Sequence, residues 1–472
     1  MSEKKYLDIT DYQSWTEGLY LIDAGCGMGK SSFIFNTLYP YAHENGKSML
    51  VFSNRLALKK QQEIRGAGTD IRFMTYQRLE FDDYMNGLII TTYIDNLMNV
   101  VRTFDYIVLD EAHYLFQDAS FNRNTQTILD MVEELRVTKK VIMLSATPEL
   151  LRKHFGQKIE KEYKAEPDYS YIKNVYFYNK KETVNKIIDD VPADEKILMF
   201  GDNKQRLQEL QRKYENSAYL SSDNKVYSSV FDEITKQEQF SCRILFTTKV
   251  LDNGVNLKDK GIKHIIIEMA DMVEFIQCLG RKRVQDENDT VTLYFLNNVG
   301  RIKRRYKKLQ DDMKIANDYY DLTENIDIDE FKQKYLKDEL PNFFDNRSEL
   351  IYPTYFKAKN DYEFYQLIVN GKTSFIKVVS ERLGQRVKKY EDVARGYEVA
   401  SYLSKNIGRK YFKQDREELV RIFDIRHRRK LQKSLGMLNQ FLQDNQLGYE
   451  IEKKCEYVGK RRIYWEIIEC RK

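Results

Sequence analysis

The sequence predicts an α/β protein built on two successive parallel sheets, followed by a helical connector and a small basic C-terminal domain. Three observations carry this. Short β-rich runs alternate with helical stretches over the first ~300 residues. A glycine-rich loop joins the first of those runs to a helix. The last ~80 residues change to a helix, helix, hairpin pattern.

The β-rich runs include Leu19–Ile22, Tyr106–Leu109, Val141–Leu144, Lys196–Phe200, Arg243–Phe246 and His264–Ile267. Short apolar strands separated by helices imply βαβ units, whose crossovers make the sheets parallel. A break near Pro148–Pro167 divides one series from a second, which runs to about Asn298. The expected domains are 1–160, 161–300, a helical connector over 301–390, and 391–472.

In the last domain, Gln414–Phe423 is an expected helix, with Asp415 and Glu418 spaced as a capping box. Leu431, Leu435, Leu438 and Leu442 fall on one face of a second helix, expected over Arg428–Gln443. Tyr449, Ile451, Cys455 and Tyr457 alternate, a Gly459–Lys460 turn follows, and Ile463, Trp465 and Ile467 alternate again. Helix, helix and hairpin in a basic setting resemble a winged helix.

Composition narrows the function. The chain has 472 residues, 42% of them hydrophobic, and a net charge of +5. From Gly371 onward 25 Lys and Arg stand against 14 Asp and Glu. That tail therefore holds +11 and the preceding residues −6, which points to a polyanionic partner. No apolar run reaches the ~18 residues of a membrane span, and no apolar signal core follows Met1, so a cytoplasmic protein with no membrane partner is expected. The five cysteines are scattered, which suggests neither a disulfide framework nor a zinc site.

Three segments carry chemistry. Ala24-Gly25-Cys26-Gly27-Met28-Gly29-Lys30-Ser31 lies between a strand and a helix. Glycines let a backbone curl its N–H groups around phosphate oxygens. Lys30 would neutralise the β- and γ-phosphates of ATP, and Ser31 would ligate Mg²⁺. Asp110-Glu111-Ala112-His113 ends a strand. There Asp110 suits Mg²⁺ and Glu111 suits orientation of the attacking water. Ser145-Ala146-Thr147-Pro148 ends another strand.

In this order the three segments resemble those of superfamily 2 helicases of the DEAD/DEAH type. The resemblance runs from about Leu19 to Arg283 and implies two RecA-like lobes and an ATP-hydrolysing motor. It implies coupling roles for His113, Ser145 and Thr147. Ser53-Asn54-Arg55 and Thr75-Tyr76-Gln77 are similar to strand-contacting motifs of the first lobe, and Phe200-Gly201-Asp202 to the opening of the second. Thr247-Thr248 through Asp252-Asn253-Gly254-Val255-Asn256 is similar to the fifth motif. Nucleic-acid contacts are implied for Arg55, Thr75 and Thr248, and a nucleotide contact for Gly254.

Gln277-Cys278-Leu279-Gly280-Arg281-Lys282-Arg283 is similar to the sixth motif, with one residue fewer before the final arginine than the usual pattern. Gln277 and an arginine finger at Arg281, or with a shifted register at Arg283, are implied. The shortened form also resembles herpesvirus-type origin-binding helicases, which suggests replication of a viral or mobile element. DNA is favoured over RNA because an inserted helix suits the B-form major groove. Arg428, Arg429, Lys433, Lys460, Arg461 and Arg462 form the expected duplex-facing surface; a replication-protein partner docked on the same region is the alternative. Three activities stay open: a translocating motor, an ATP-gated initiator or remodelling factor, and a binder with a degenerate ATP site.

Overall fold

The computed structural model describes residues 7–53, 68–76, 98–119, 125–225, 228–252, 255–325, 328–335, 340–345, 348–427 and 430–470. It divides into two compact units, Met1–Asn174 with Ile188–Gln385, and Val175–Ile187 with Arg386–Lys472.

The first unit contains two parallel sheets, one in each of two lobes. Strands β1 (Gly18–Ala24), β2 (Met49–Ser53), β3 (Arg72–Thr75), β4 (Tyr106–Leu109), β5 (Lys140–Ser145) and β6 (Ile159–Ala165) form the first. Their spatial order is β3-β2-β4-β5-β1-β6. Both faces are covered, so the strands are nearly continuous in apolar residues. Alternation along β1 sends Leu19 and Leu21 into one core. Tyr20, Ile22 and Ala24 enter the other.

After β7 (Ile172–Tyr178), the second sheet runs through β8 (Lys196–Phe200), β9 (Ser217–Leu220), β10 (Ile244–Thr247), β11 (Ile262–Ile267) and β12 (Val291–Leu296). The last five lie in the order β12-β11-β8-β10-β9. In both lobes every one of these strand pairs is parallel, so each strand reaches its neighbour through a crossover, and β1 is flanked by β5 and β6 from the far end of the lobe. The loops at the carboxyl ends of β1 (Ala24), β4 (Leu109) and β5 (Ser145) therefore converge, although they are far apart in sequence.

Helices Val299–Asn325, Ile328–Lys334, Tyr352–Val369 and Phe375–Leu383 follow β12. An aromatic cluster including Phe331, Phe343, Phe344 and Tyr355 holds the first three together. The Tyr352–Val369 helix touches both lobes. Thr354 Oγ1 donates to the Ala119 carbonyl (2.9 Å) and Phe356 packs on Phe116. Lys357, half-buried between Asp361 and Asp271, ties the same helix to the second lobe.

In the second unit, β13 (Val387–Lys389) pairs in parallel with Val175–Phe177 of β7. Then come helix Tyr390–Ser404, β14 (Lys410–Tyr411), helix Arg416–Phe423, the short pair β15 (Arg426–His427) and β16 (Lys430–Leu431), helix Leu435–Asp444, and the hairpin of β17 (Tyr449–Val458) and β18 (Lys460–Glu469). Three details correct the sequence reading. The leucine-rich helix starts at Leu435 because Ser434 caps it, its side chain accepting from the Met437 N–H, and Leu431 lies in β16. The Asp415/Glu418 capping box does not form: Asp415 accepts from the Phe412 N–H, while Glu418 takes the charged partner Arg409 and the Tyr402 hydroxyl. The hairpin outreaches the core, so Ile451, Trp465 and Ile467 are buried whereas Cys455, Tyr457 and Ile463 are exposed.

Among the described residues no helix is long and apolar enough to cross a membrane.

Candidate active site

β1 delivers its last residue, Ala24, into a loop that Gly27 (φ 80°) and Gly29 (φ 97°) turn through left-handed conformations. Side chains there would cost conformational energy that glycine avoids. The helix then begins at Lys30. Lys30 is buried, and its Nζ lies 2.6 Å from the Ala24 carbonyl and 3.4 Å from that of Gly25. The ammonium is thus folded over the loop that its own strand ends in. Ser31, the next residue, is half-buried.

Asp110 directly follows β4; it is buried, and its N–H donates to the Phe52 carbonyl (2.9 Å). The fully buried Tyr76 donates its hydroxyl to the Asp110 carbonyl (2.9 Å), fixing the turn from behind. Glu111 adopts φ 51°, a strained conformation for a non-glycine residue and one found at functional sites. Glu111 Oε2 is buried without a hydrogen-bond partner among the described residues, although His113 Nδ1 stands 3.5 Å away. Burial pushes this carboxyl up; the charges of Lys30, His113, Arg281 and Arg283 outweigh it and hold the group below its ordinary value. His113 is lowered, chiefly by burial, so at neutral pH Lys30 and the two arginines supply the field that keeps Glu111 ionised.

The second lobe closes over these groups. Helix Met272–Leu279 is capped by Asp271, whose carboxylate accepts from the Val273 and Glu274 N–H groups. It ends at Gly280, where an added Cβ would stand 2.7 Å from Cys26 Sγ. Beyond it the chain is extended: the Leu257 N–H donates to the Arg281 carbonyl (2.8 Å) and the Arg283 N–H to the Leu257 carbonyl (2.7 Å). Extended backbone sends alternate side chains to opposite sides. Lys282 enters the core on Asp289 (2.6 Å, both side chains fully buried). Arg281 and Arg283 share the other side, where both act on Glu111. The short spacing of the sixth motif thus still presents two cations. Arg281 is held by Gln277, through the carbonyl (3.0 Å) and Oε1 (2.7 Å). Arg283 is held by Asn256 Oδ1 (2.7 Å) and reaches the phosphate loop, its Nη1 lying 3.3 Å from a Cβ built on Gly27.

A polar chain crosses between the lobes. Gln277 Nε2 lies 3.5 Å from His113 Nε2, His113 Nδ1 lies 3.2 Å from Ser145 Oγ, and the Thr147 N–H donates to the same hydroxyl (3.0 Å). Thr147 Oγ1 is buried and without a partner among the described residues.

Of the remaining expected residues, Thr75 and Thr248 are buried at the ends of β3 and β10. Lys433, Lys460, Arg461 and Arg462 are exposed in the second unit. Arg55, Gly254, Arg428 and Arg429 lie outside the described residues. Sequence reasoning missed the supporting roles of Tyr76 and Asn256, though both stand inside segments it quoted. It also missed Lys282–Asp289, for which no local signal exists.

The donor set suits a nucleoside triphosphate with Mg²⁺. A hydroxyl (Ser31) and a carboxylate (Asp110) are hard oxygen ligands of the kind Mg²⁺ takes. The buried Oε2 of Glu111, without a hydrogen-bond partner among the described residues, is an acceptor placed beside them.

Residues 16–153 match the family described as DEAD/DEAH box helicase. No curated protein matches the sequence. Among solved structures, the chain is similar to a fragment described as an HsdR subunit of a type I restriction enzyme from Vibrio vulnificus (16% identity, TM-score 0.39, 59% of each chain covered). It is also similar to a hypothetical ATP-dependent RNA helicase from Sulfolobus tokodaii (18%, TM-score 0.28, 62% of this chain and 92% of that one). A third is the DEAH/RHA helicase HrpB of Escherichia coli (12%, TM-score 0.39, 62% and 44%). The match thus spans 59% of the first of these proteins and less than half of the third.

Proposed function

We propose, from the match of residues 16–153 to the DEAD/DEAH box helicase family, that the chain hydrolyses ATP between its two lobes to drive movement along nucleic acid, with DNA the preferred track. One observation supports this most directly: Arg283 of the second lobe stands against Gly27 of the phosphate loop. A site completed only when two lobes meet links hydrolysis to their separation.

In this reading the loop from Ala24 to Gly29 cradles the phosphates and Lys30 neutralises them. Ser31 and Asp110 would hold Mg²⁺, which would neutralise phosphate charge. Glu111 stays ionised and orients water toward the γ-phosphorus. Arg281 and Arg283 place positive charge where it develops in the transition state. Gln277, His113, Ser145 and Thr147 carry the change in lobe contact to the nucleic-acid side.

The segment 391–472 is read as a winged-helix-like DNA-binding domain, in keeping with the basic hairpin tip, and a role in replication of a viral or mobile element in the cytoplasm fits it. The same basic unit favours a second reading, an ATP-gated initiator that holds a site without separating strands. Unwinding of a labelled forked DNA duplex, beside ATPase rates without nucleic acid and with single-stranded DNA, forked DNA or RNA, tests both. DNA-stimulated hydrolysis with strand release supports the motor. Stimulation without release supports the initiator, and stimulation by RNA alone contradicts the DNA track.

A further inference from the structure

One helix supports both ends of the polar chain that runs between the lobes. Helix Phe375–Leu383 starts at Ser374, whose side chain accepts from the Lys377 N–H (3.1 Å). It stops at Gly384, which turns left-handed (φ 63°). Its first residue, Phe375, is buried in the second lobe, edge-on to Phe275 (6.2 Å between ring centroids) and Phe295 (6.0 Å). Phe275 lies in helix Met272–Leu279, two residues before Gln277.

The last turn of the same helix reaches the first lobe. Arg382 Nη2 donates to the Ala146 carbonyl (3.1 Å) and Nη1 to Glu149 Oε1 (2.9 Å). Its charge also acts on the Tyr169 hydroxyl. Just beyond, Gln385 Nε2 donates to the carbonyls of Tyr169 (2.8 Å) and Ile172 (2.9 Å), in the segment that joins β6 to β7. The two Arg382 contacts differ in consequence. The Arg382 and Glu149 side chains are 32% and 49% exposed, so their ion pair contributes little. Ala146 is buried, and a guanidinium on its carbonyl is a charge-assisted bond that water does not readily replace.

The Ala146 peptide lies between Ser145 and Thr147. Ser145 Oγ meets His113, which stands 3.5 Å from Glu111 Oε2 and meets Gln277 through its other nitrogen. Phe375 packs behind the helix that carries Gln277, and Arg382 holds the turn that carries Ser145. We infer that Arg382 is a positioning residue for ATP hydrolysis: from a helix anchored in the second lobe it fixes the Ala146 peptide, and through it the Ser145–His113 contact beside Glu111. The inference rests on the reading of Glu111 as the residue that orients water. Movement of the second lobe that drew the helix away would release this turn, so turnover depends on the lobes being together.

Steady-state ATP hydrolysis by the full chain, beside melting temperatures, tests the role. Arg382→Ala should lower kcat by on the order of tenfold. It should leave the KM for ATP within about twofold, since the partners of Arg382 lie on the Ser145–Thr147 turn and not on the phosphates. Arg382→Met keeps the apolar stem without a donor, should give the same split, and serves if the alanine variant misfolds. Glu149→Gln should stay within about threefold of the wild-type kcat. In that background Arg382→Lys keeps a donor for the Ala146 carbonyl and should remain within about threefold of Glu149→Gln alone. A wild-type kcat in Arg382→Ala and Arg382→Met overturns the inference. So does a KM that rises as kcat falls, with a lower melting temperature, which marks a merely structural loss. A loss in Glu149→Gln equal to that in Arg382→Ala, or a lysine that rescues nothing, also overturns it. Glu111→Gln, run alongside, separates the premise: hydrolysis at the wild-type rate overturns the Glu111 reading, and the positioning role falls with it.

Discussion

The tight approach of Gly280 to Cys26 offers a sharp test of the composite site. Replacing Gly280 by alanine would place a methyl carbon 2.7 Å from Cys26 Sγ and 3.0 Å from Cys26 Cβ. Ordinary contact needs about 3.5–4.0 Å, and turning Cys26 Sγ aside still leaves its Cβ too near, so the phosphate loop or the second lobe must shift, by up to about 1 Å. Gly280 itself sits at φ −66° and ψ −8°, which alanine adopts freely, so the contact alone is at issue. A misplacement of about 1 Å costs on the order of 10²-fold in rate, or about 2.7 kcal/mol. Steady-state ATP hydrolysis at saturating ATP should show that loss in kcat for Gly280→Ala. In a Cys26→Gly background the same substitution should cost less than about threefold, because the opposing atoms are gone. A wild-type kcat for Gly280→Ala, or an equal loss in both backgrounds, would refute the reasoning.

Three further outcomes follow from the same geometry. Arg281→Ala and Arg283→Ala should each lower kcat by on the order of 10³-fold with a smaller effect on ATP affinity, as single-turnover rates and nucleotide titrations would show; equal losses in binding and turnover would make them binding residues only. A Lys460→Ala, Arg461→Ala, Arg462→Ala triple variant should bind duplex DNA more weakly, with a salt slope shallower by up to about three, while its ATPase without nucleic acid survives; unchanged affinity and slope would leave the hairpin to a protein partner. His113, His154 and His264 are each lowered, in every case chiefly by burial. Below about pH 6.5 the unfolded chain binds protons at these sites that the folded chain refuses, so stability is full above that pH and declines as pH falls through it. Melting temperatures from pH 7.5 to 5.5 should fall accordingly, and His154→Gln should flatten the decline; an unaltered slope in that variant would remove His154 from the explanation.

The parallel sheets and the phosphate loop were legible because they depend on local pattern. Leu19 to Ala24 show the strand by composition and the following glycines by spacing. Five of the six expected runs lie within strands and the sixth, Arg243–Phe246, begins one residue before β10, with every end within two residues of expectation. Strand order was not legible, since β1 meets β5 across more than 100 residues. The pairing of Lys282 with Asp289 was hidden for another reason: charged residues are ordinarily read as surface, and this pair is buried by the extended pairing with Leu257. In the C-terminal unit, leucine spacing extended the expected helix too far, because Ser434 supplies a cap that periodicity does not weigh. Alternation likewise overstated the buried face of the hairpin, whose outer half has no partner layer in the core around Ile451 and Ile467.

The central claim is that Glu111, kept ionised by Lys30 and the two arginines, orients water for ATP hydrolysis. Glu111→Gln preserves size while removing the charge. The measurement is ATP turnover and ATP binding of this variant, with and without single-stranded DNA, beside Lys30→Ala. The account predicts that Glu111→Gln binds ATP and fails to hydrolyse it, with DNA giving no stimulation, while Lys30→Ala binds ATP poorly. Hydrolysis by Glu111→Gln at the wild-type rate would contradict it.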